Sequence, residues 1–256
     1  MQSISGLPMS ESNNDIKWHL DGIRFIVFCN KEIDFPKKEL SKKITNRNNV
    51  ISMTPSSENN SVEKQYIEIV PLDESATKQF HLTYIENRNI FDFQLMFNDE
   101  NKNFTLKEIN EELDSFYSNL QVVFEYFKDS VIRIGKVIEL SIPTKNDSEA
   151  CNFIRNNFKI LKDFDHDLNE INLKLNKSYK YNDVLINRVI RVASGQKISL
   201  DIESKNTKAD IVNSVLLNID VNTDASRKEI LDLESFCLSL RTALSSRSMN
   251  GGAYNE

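Results

Sequence analysis

The order of elements repeats along the chain. Residues 23 to 128 read as strand, helix, several strands and a long helix, and residues 131 to 247 read the same way again. This order predicts an α+β fold built from a pseudo-duplicated strand-helix-meander-helix unit, with antiparallel sheets backed by two long helices. Only Asp129 and Ser130 lie at the junction, which is too short for a flexible linker. The expected organisation is a first half over 16–129, a second over 130–248 and disordered tails at 1–15 and 249–256, with both halves in one cooperative body.

In the first half, Ile23, Phe25, Val27 and Cys29 alternate as a strand, and Ile26 with Phe28 makes its other face apolar too, as in a central strand. Pro36 suits the first position of a short helix. Leu40 and Ile44 then fall on one face, opposite Lys37, Lys38, Lys42 and Lys43. Residues 46–63 have loop composition and read as a mobile loop. Strands follow at 64–71, 78–86 and 89–97, with connections short enough for an antiparallel meander. Thr105 and Glu108 form a capping-box pattern ahead of Leu106, Ile109, Leu113, Phe116, Leu120, Val123 and Phe127, a long amphipathic helix.

The second half opens with Ile132, Ile134, Ile138, Leu140 and Ile142 in a strand, then Cys151, Ile154, Phe158 and Leu161 at helical spacing. Ile171 to Val192 reads as a long hairpin turning at Asn182-Asp183. Separate strands are expected at Ile198–Ile202 and Ile211–Val221. A final helix is expected from Ser226, capped by Glu229 and burying Ile230, Leu233, Cys237, Leu240 and Leu244.

Three stretches carry a family resemblance: Arg133-Ile134-Gly135 in a strand after the long helix, Leu216-Leu217-Asn218-Ile219-Asp220-Val221 late in the chain, and the closing helix. In these the chain resembles a sporadically distributed family of uncharacterised bacterial proteins of about this length. It departs from that pattern where Lys136-Val137-Ile138-Glu139 replaces an Arg-aromatic-x-Asn stretch. The resemblance implies a genetic context of mobile or defence-associated genes, and it transfers no activity and no catalytic residue.

Composition excludes several function classes. Net charge is −6 and pI is near 5.3, which disfavours a charge-driven grip on nucleic acid by the whole molecule. The six glycines form no cluster within the expected folded body that would let backbone amides close around a phosphate. Cys29, Cys151 and Cys237 are far apart, with no paired spacing for a metal, and such sparse cysteines fit a reducing cytoplasm. No signal-peptide pattern and no apolar run of membrane-spanning length appears, so a cytoplasmic protein is expected.

Several polar groups qualify as candidate sites. Asp163, Asp165, His166 and Asp167 hold oxygen and imidazole ligands in one short stretch, although only His19 and His81 remain to complete a metal site, and a solvated acidic connection explains the stretch as well. Asp183 with Glu203 and Lys205 matches the acid and acid-x-Lys order of Mg²⁺-dependent nucleases, in which carboxylates hold the metal and lysine steadies the developing charge. That pattern is common in a chain this charged. Lys37, Lys38, Lys42, Lys43 and Arg47 present a basic helix face suited to phosphates, or simply to water. Arg133 and Glu139 share one face of the mid-chain strand, in a cleft or in structural pairs. The leading expectation is a non-enzymatic binding or regulatory component without cofactor, acting on a protein partner such as a toxin or anti-phage effector. A Mg²⁺ nuclease and a nucleic-acid-binding module are the alternatives, and the oligomeric state is open.

Overall fold

A computed structural model describes residues 16–36, 39–54, 65–99, 101–157, 168–201 and 208–233. Its strands are β1 (His19–Cys29), β2 (Ile51–Met53), β3 (Gln65–Pro71), β4 (Lys78–Ile85), β5 (Ile90–Phe97), β6 (Val131–Pro143), β7 (Asn172–Tyr181), β8 (Val184–Asp201) and β9 (Lys208–Thr223). The described α-helices are α1 (Leu40–Thr45), α2 (Leu106–Leu120) and α3 (Asp147–Asn157). All nine strands join one sheet in the order β2-β3-β4-β5-β1-β6-β9-β8-β7, every neighbouring pair antiparallel.

This corrects the expected α+β architecture of sheets backed by two long helices. The first strand of each half pairs with the other, Phe25 opposite Lys136 and Val27 opposite Ile134, so what read as separate sheets is continuous. The first predicted long helix keeps its capping box, Thr105 and Glu108 bonding reciprocally, but its α-helical part ends at Leu120 and tightens into a 3-10 segment, Gln121–Phe127. The second does not start at Ser226. There the Asp224 carboxylate accepts from the Ser226 amide, and Leu231 donates its backbone N–H to Val131, holding 226–232 in turns and irregular chain, with helix assigned only at Leu233. Residues 234–256, with Cys237, Leu240 and Leu244, lie outside the described residues.

Smaller differences follow the same logic. The strand expected at Ile198–Ile202 is the far end of β8, which runs unbroken through Ala193, Ser194 and Gly195 because β9 pairs with it along the whole stretch. The short helix starts at Leu40, and Ile51–Met53 pairs with β3 inside the expected loop 46–63.

Alternation sorts side chains onto two faces. One face carries Ile23, Phe25 and Val27, Phe80, Leu82 and Tyr84, Phe91, Phe93 and Leu95, and Ile134, Ile138 and Leu140, all buried. The described helices pack here. Tyr117 of α2 meets Phe25 edge-on, Phe127 meets Phe91 and Phe93, and Ala150, Cys151 and Ile154 of α3 are buried. The Cys151 thiol lies 3.5 Å from Ser194 Oγ of β8, which fixes α3 over the second half of the sheet. Three charged residues, Lys136, Glu68 and Arg188, enter this layer. Lys136 places its ammonium 3.9 Å from the Tyr117 ring centroid, and Glu68 accepts from the Tyr66 hydroxyl at 2.6 Å. No described helix is long and apolar enough to cross a membrane.

Candidate functional site: the helix-free face of the sheet

The opposite face carries no described helix, and its composition changes from one edge to the other. Register aligns one row of side chains across all nine strands: Ile51, Ile69, His81, Gln94, Arg24, Val137, Asp220, Val189 and Asn176. Adjacent rows add Met53, Ile67, Ile26, Ile85, Ile90 and Phe28 on the side of the first half. Ile26, Phe28, Ile67, Ile69, Ile85 and Ile90 are half-buried and belong to no part of the core, while Ile51 and Met53 are 54 % and 45 % exposed. This is an apolar surface on a strand layer, interrupted where Thr83 and Asp92 stand between Ile67 and Ile26, and such surfaces are seldom left without a use.

A charged network lies beside it. Arg24 of β1 reaches Asp92 of β5 with Nη2 to Oδ2 at 2.5 Å and Nε to Oδ1 at 3.4 Å, and Gln94 donates to Asp92 Oδ2 at 2.7 Å. Asp92 is 7 % exposed. Burial pulls the Arg24 pKa down, but the hydrogen bond and charge of Asp92, with Glu139 and Asp220 beyond, leave it raised. Across Gly22, Glu139 accepts from Asn218 Nδ2 at 3.5 Å. Burial raises the Glu139 carboxyl above its ordinary range. The charge of Arg24 opposes the rise, and Asp21 and Asp92 add to it. His81 is held low by burial, its Nε2 lying 2.9 Å from Gln79 Oε1.

At the β8 end, Lys197 Nζ reaches Asp21 Oδ1 at 2.5 Å, and Ser141 donates to the same oxygen at 3.0 Å. Two strands, β9 and β6, lie between Lys197 and Asp21. Three strand spacings make about 14 Å, more than a lysine spans over a flat sheet, so the sheet curls toward this face.

The residues singled out in the sequence come together only in part. Arg133 and Glu139 do share the helix-free face of β6, Arg133 near its start and Glu139 past its middle. Arg133 stacks its guanidinium 4.4 Å from the Phe28 ring centroid, with Nε buried and unbonded, while Glu139 sits in the central network. Within the basic helix face, Lys43 donates to the Tyr126 hydroxyl at 2.5 Å and Arg47 to the Leu72 carbonyl at 2.9 Å, while Lys42 is exposed. Lys37 and Lys38 lie outside the described residues.

Asp183 occupies the tip of the β7-β8 hairpin, beside Asp224 and Arg227 around an open pocket of about 460 Å³. The chain enters 202–207 from Asp201, at the far end of β8 and about 55 Å away along that strand. Glu203 and Lys205 are outside the described residues, as are Asp163, Asp165, His166 and Asp167. Among the described residues no group of three His, Cys, Asp or Glu side chains could hold a metal. Cys29 is buried, which pushes its thiol up to about 11, an unreactive state.

The chain matches no protein-family model, no curated protein and no solved structure. Its own geometry therefore carries the functional argument. Alternation in the sequence marks Ile26 and Phe28 as a second apolar face, but not the isoleucines that extend it or the Arg24-Asp92 pair. Asp92 and Gln94 did leave a signal, standing as polar residues between Phe91, Phe93 and Leu95.

Proposed function

We propose that the protein is a non-enzymatic binding component whose helix-free face receives a partner protein through apolar side chains. The observation that carries this is the surface of Ile26, Phe28, Ile67, Ile69, Ile85 and Ile90, which lies outside the core and is bordered by the Arg24-Asp92 network. Apolar centres with polar margins characterise protein interfaces. The isoleucines of this face offer nothing to a phosphate backbone. The already paired Arg24 and Asp92 set orientation at the border, where unpaired groups on a wrong partner would be penalised.

The test compares the tagged protein with an Ile67→Lys variant, whose substitution leaves the core untouched. Affinity capture from the host should yield one stoichiometric protein with the parent and none with the variant, at unchanged thermal stability. Cross-links from that protein should fall on β3, β4 or β5. Equal capture by both forms, or retention of nuclease-sensitive DNA or RNA instead, would refute the reading. Sedimentation of the purified chain covers the remaining case: a dimer abolished by Ile67→Lys would replace the foreign partner with a second copy.

A further inference from the structure

The sheet ends on β7, and its two edges are unlike. β2 offers three residues, whereas β7 offers ten, and among the described residues nothing pairs with its outer side. A strand of that length with no described strand on its outer side is a template for another strand, because its outward N–H and C=O groups repeat at the spacing of a ladder. Its two faces differ in chemistry. Lys174 and Lys180 stand exposed on the helix-free side, with Arg191 of β8 directly beside Lys174. Leu173, Leu175 and Tyr179 point to the other side, half-buried and packed on the margin of the core, with the exposed Lys177 between the last two. β7 contains no Asp or Glu, although the chain as a whole is acidic.

From this we infer a second binding surface: the outer edge of β7 accepts an extended segment of a partner protein that alternates acidic and apolar residues. Hydrogen bonds to the β7 backbone would hold the segment. Its acidic residues would face Lys174, Lys180 and Arg191, and its apolar residues would extend the layer of Leu173, Leu175 and Tyr179 by one strand. Self-pairing is the poorer use of this edge. An antiparallel copy centred on Lys177 sets Lys174 against Lys180 and Lys177 against itself, and like charges directly opposite are destabilising. Centring on Asn176 removes those clashes, but it sets Lys174 against Ser178, Lys177 against Leu175 and Lys180 against Asn172, so no lysine gains the acidic partner that an acidic segment supplies. This surface lies at the far edge from the isoleucine face, and neither depends on the other.

The probe is a fluorescein-labelled ten-residue peptide of alternating Glu and Val, followed by fluorescence anisotropy with the full chain. Binding is expected to weaken at least tenfold in K174E/K180E, and equally when alternate amides of the peptide are N-methylated to block strand addition. A Lys-Val peptide should regain binding to K174E/K180E, which also shows that the variant is folded. Ile67→Lys should bind the Glu-Val peptide as the parent does. The inference fails if the N-methylated peptide binds as well as its parent, or if a fifteen-nucleotide oligo-dT binds more tightly than the peptide. It fails equally if no peptide binds while K174V/K180V self-associates, since the lysines would then only guard the edge.

Discussion

Asp92 accepts hydrogen bonds from Arg24 and Gln94 while almost fully buried. Asp92→Ala should therefore cost about 2 kcal/mol in urea denaturation, since it leaves a half-buried guanidinium without its counterion. Replacing both ends, Arg24→Met with Asp92→Leu, should recover most of that loss, because an apolar pair needs no desolvated charges. Glu139 poses the opposite case. Its folded-state carboxyl titrates above the ordinary range, mainly through burial, so the ionised form is disfavoured by folding. The sign follows: its contribution to stability is fully present below the unfolded carboxylate pKa and is lost as pH rises through the folded one. Glu139→Gln should raise Tm by about 2–4 °C at pH 7.5, and the gain should vanish in calorimetry at pH 4.

The β7-β8 turn places both central residues in the left-handed region, Asn182 at φ 45° and Asp183 at φ 60°. A two-residue hairpin turn of this kind favours Asn-Gly. Asp183→Gly should be stabilising by up to about 1 kcal/mol and Asp183→Val destabilising by about 1 kcal/mol in thermal melts. Such elements were legible in the sequence because their chemistry is local: Asn182-Asp183 between alternating runs, Thr105 three residues ahead of Glu108. Others were not. The 3-10 segment after Leu120 keeps spacings of three that also suit an α-helix. Ser226 and Glu229 look like a capping box, but the Asp224 carboxylate takes the Ser226 amide and Leu231 bonds to β6, a competition between near and distant partners that spacing does not reveal. Ala193-Ser194-Gly195 reads as a break, yet pairing with β9 carries β8 through it.

For the whole molecule, alternation tells which face a residue occupies but not which strand lies beside it. Hence the pairing of β1 with β5 was illegible, and with it the surface that the isoleucines of four strands and Ile26 make only when laid side by side, and so was the pairing of β1 with β6. That pairing also makes the halves interdependent. A fragment of residues 16–129 leaves the β6 side of β1 open, so it should aggregate or stay unfolded when expressed alone, and co-expression with 130–256 should restore a soluble complex by size-exclusion chromatography. The same seam bears on biosynthesis. About a hundred residues separate Cys29 from Val131, and at ribosomal rates β1 waits roughly 5–20 s for the strand that closes its flank. During that interval the nascent chain offers the open backbone edge of an apolar strand to whatever chaperone stands at the exit tunnel.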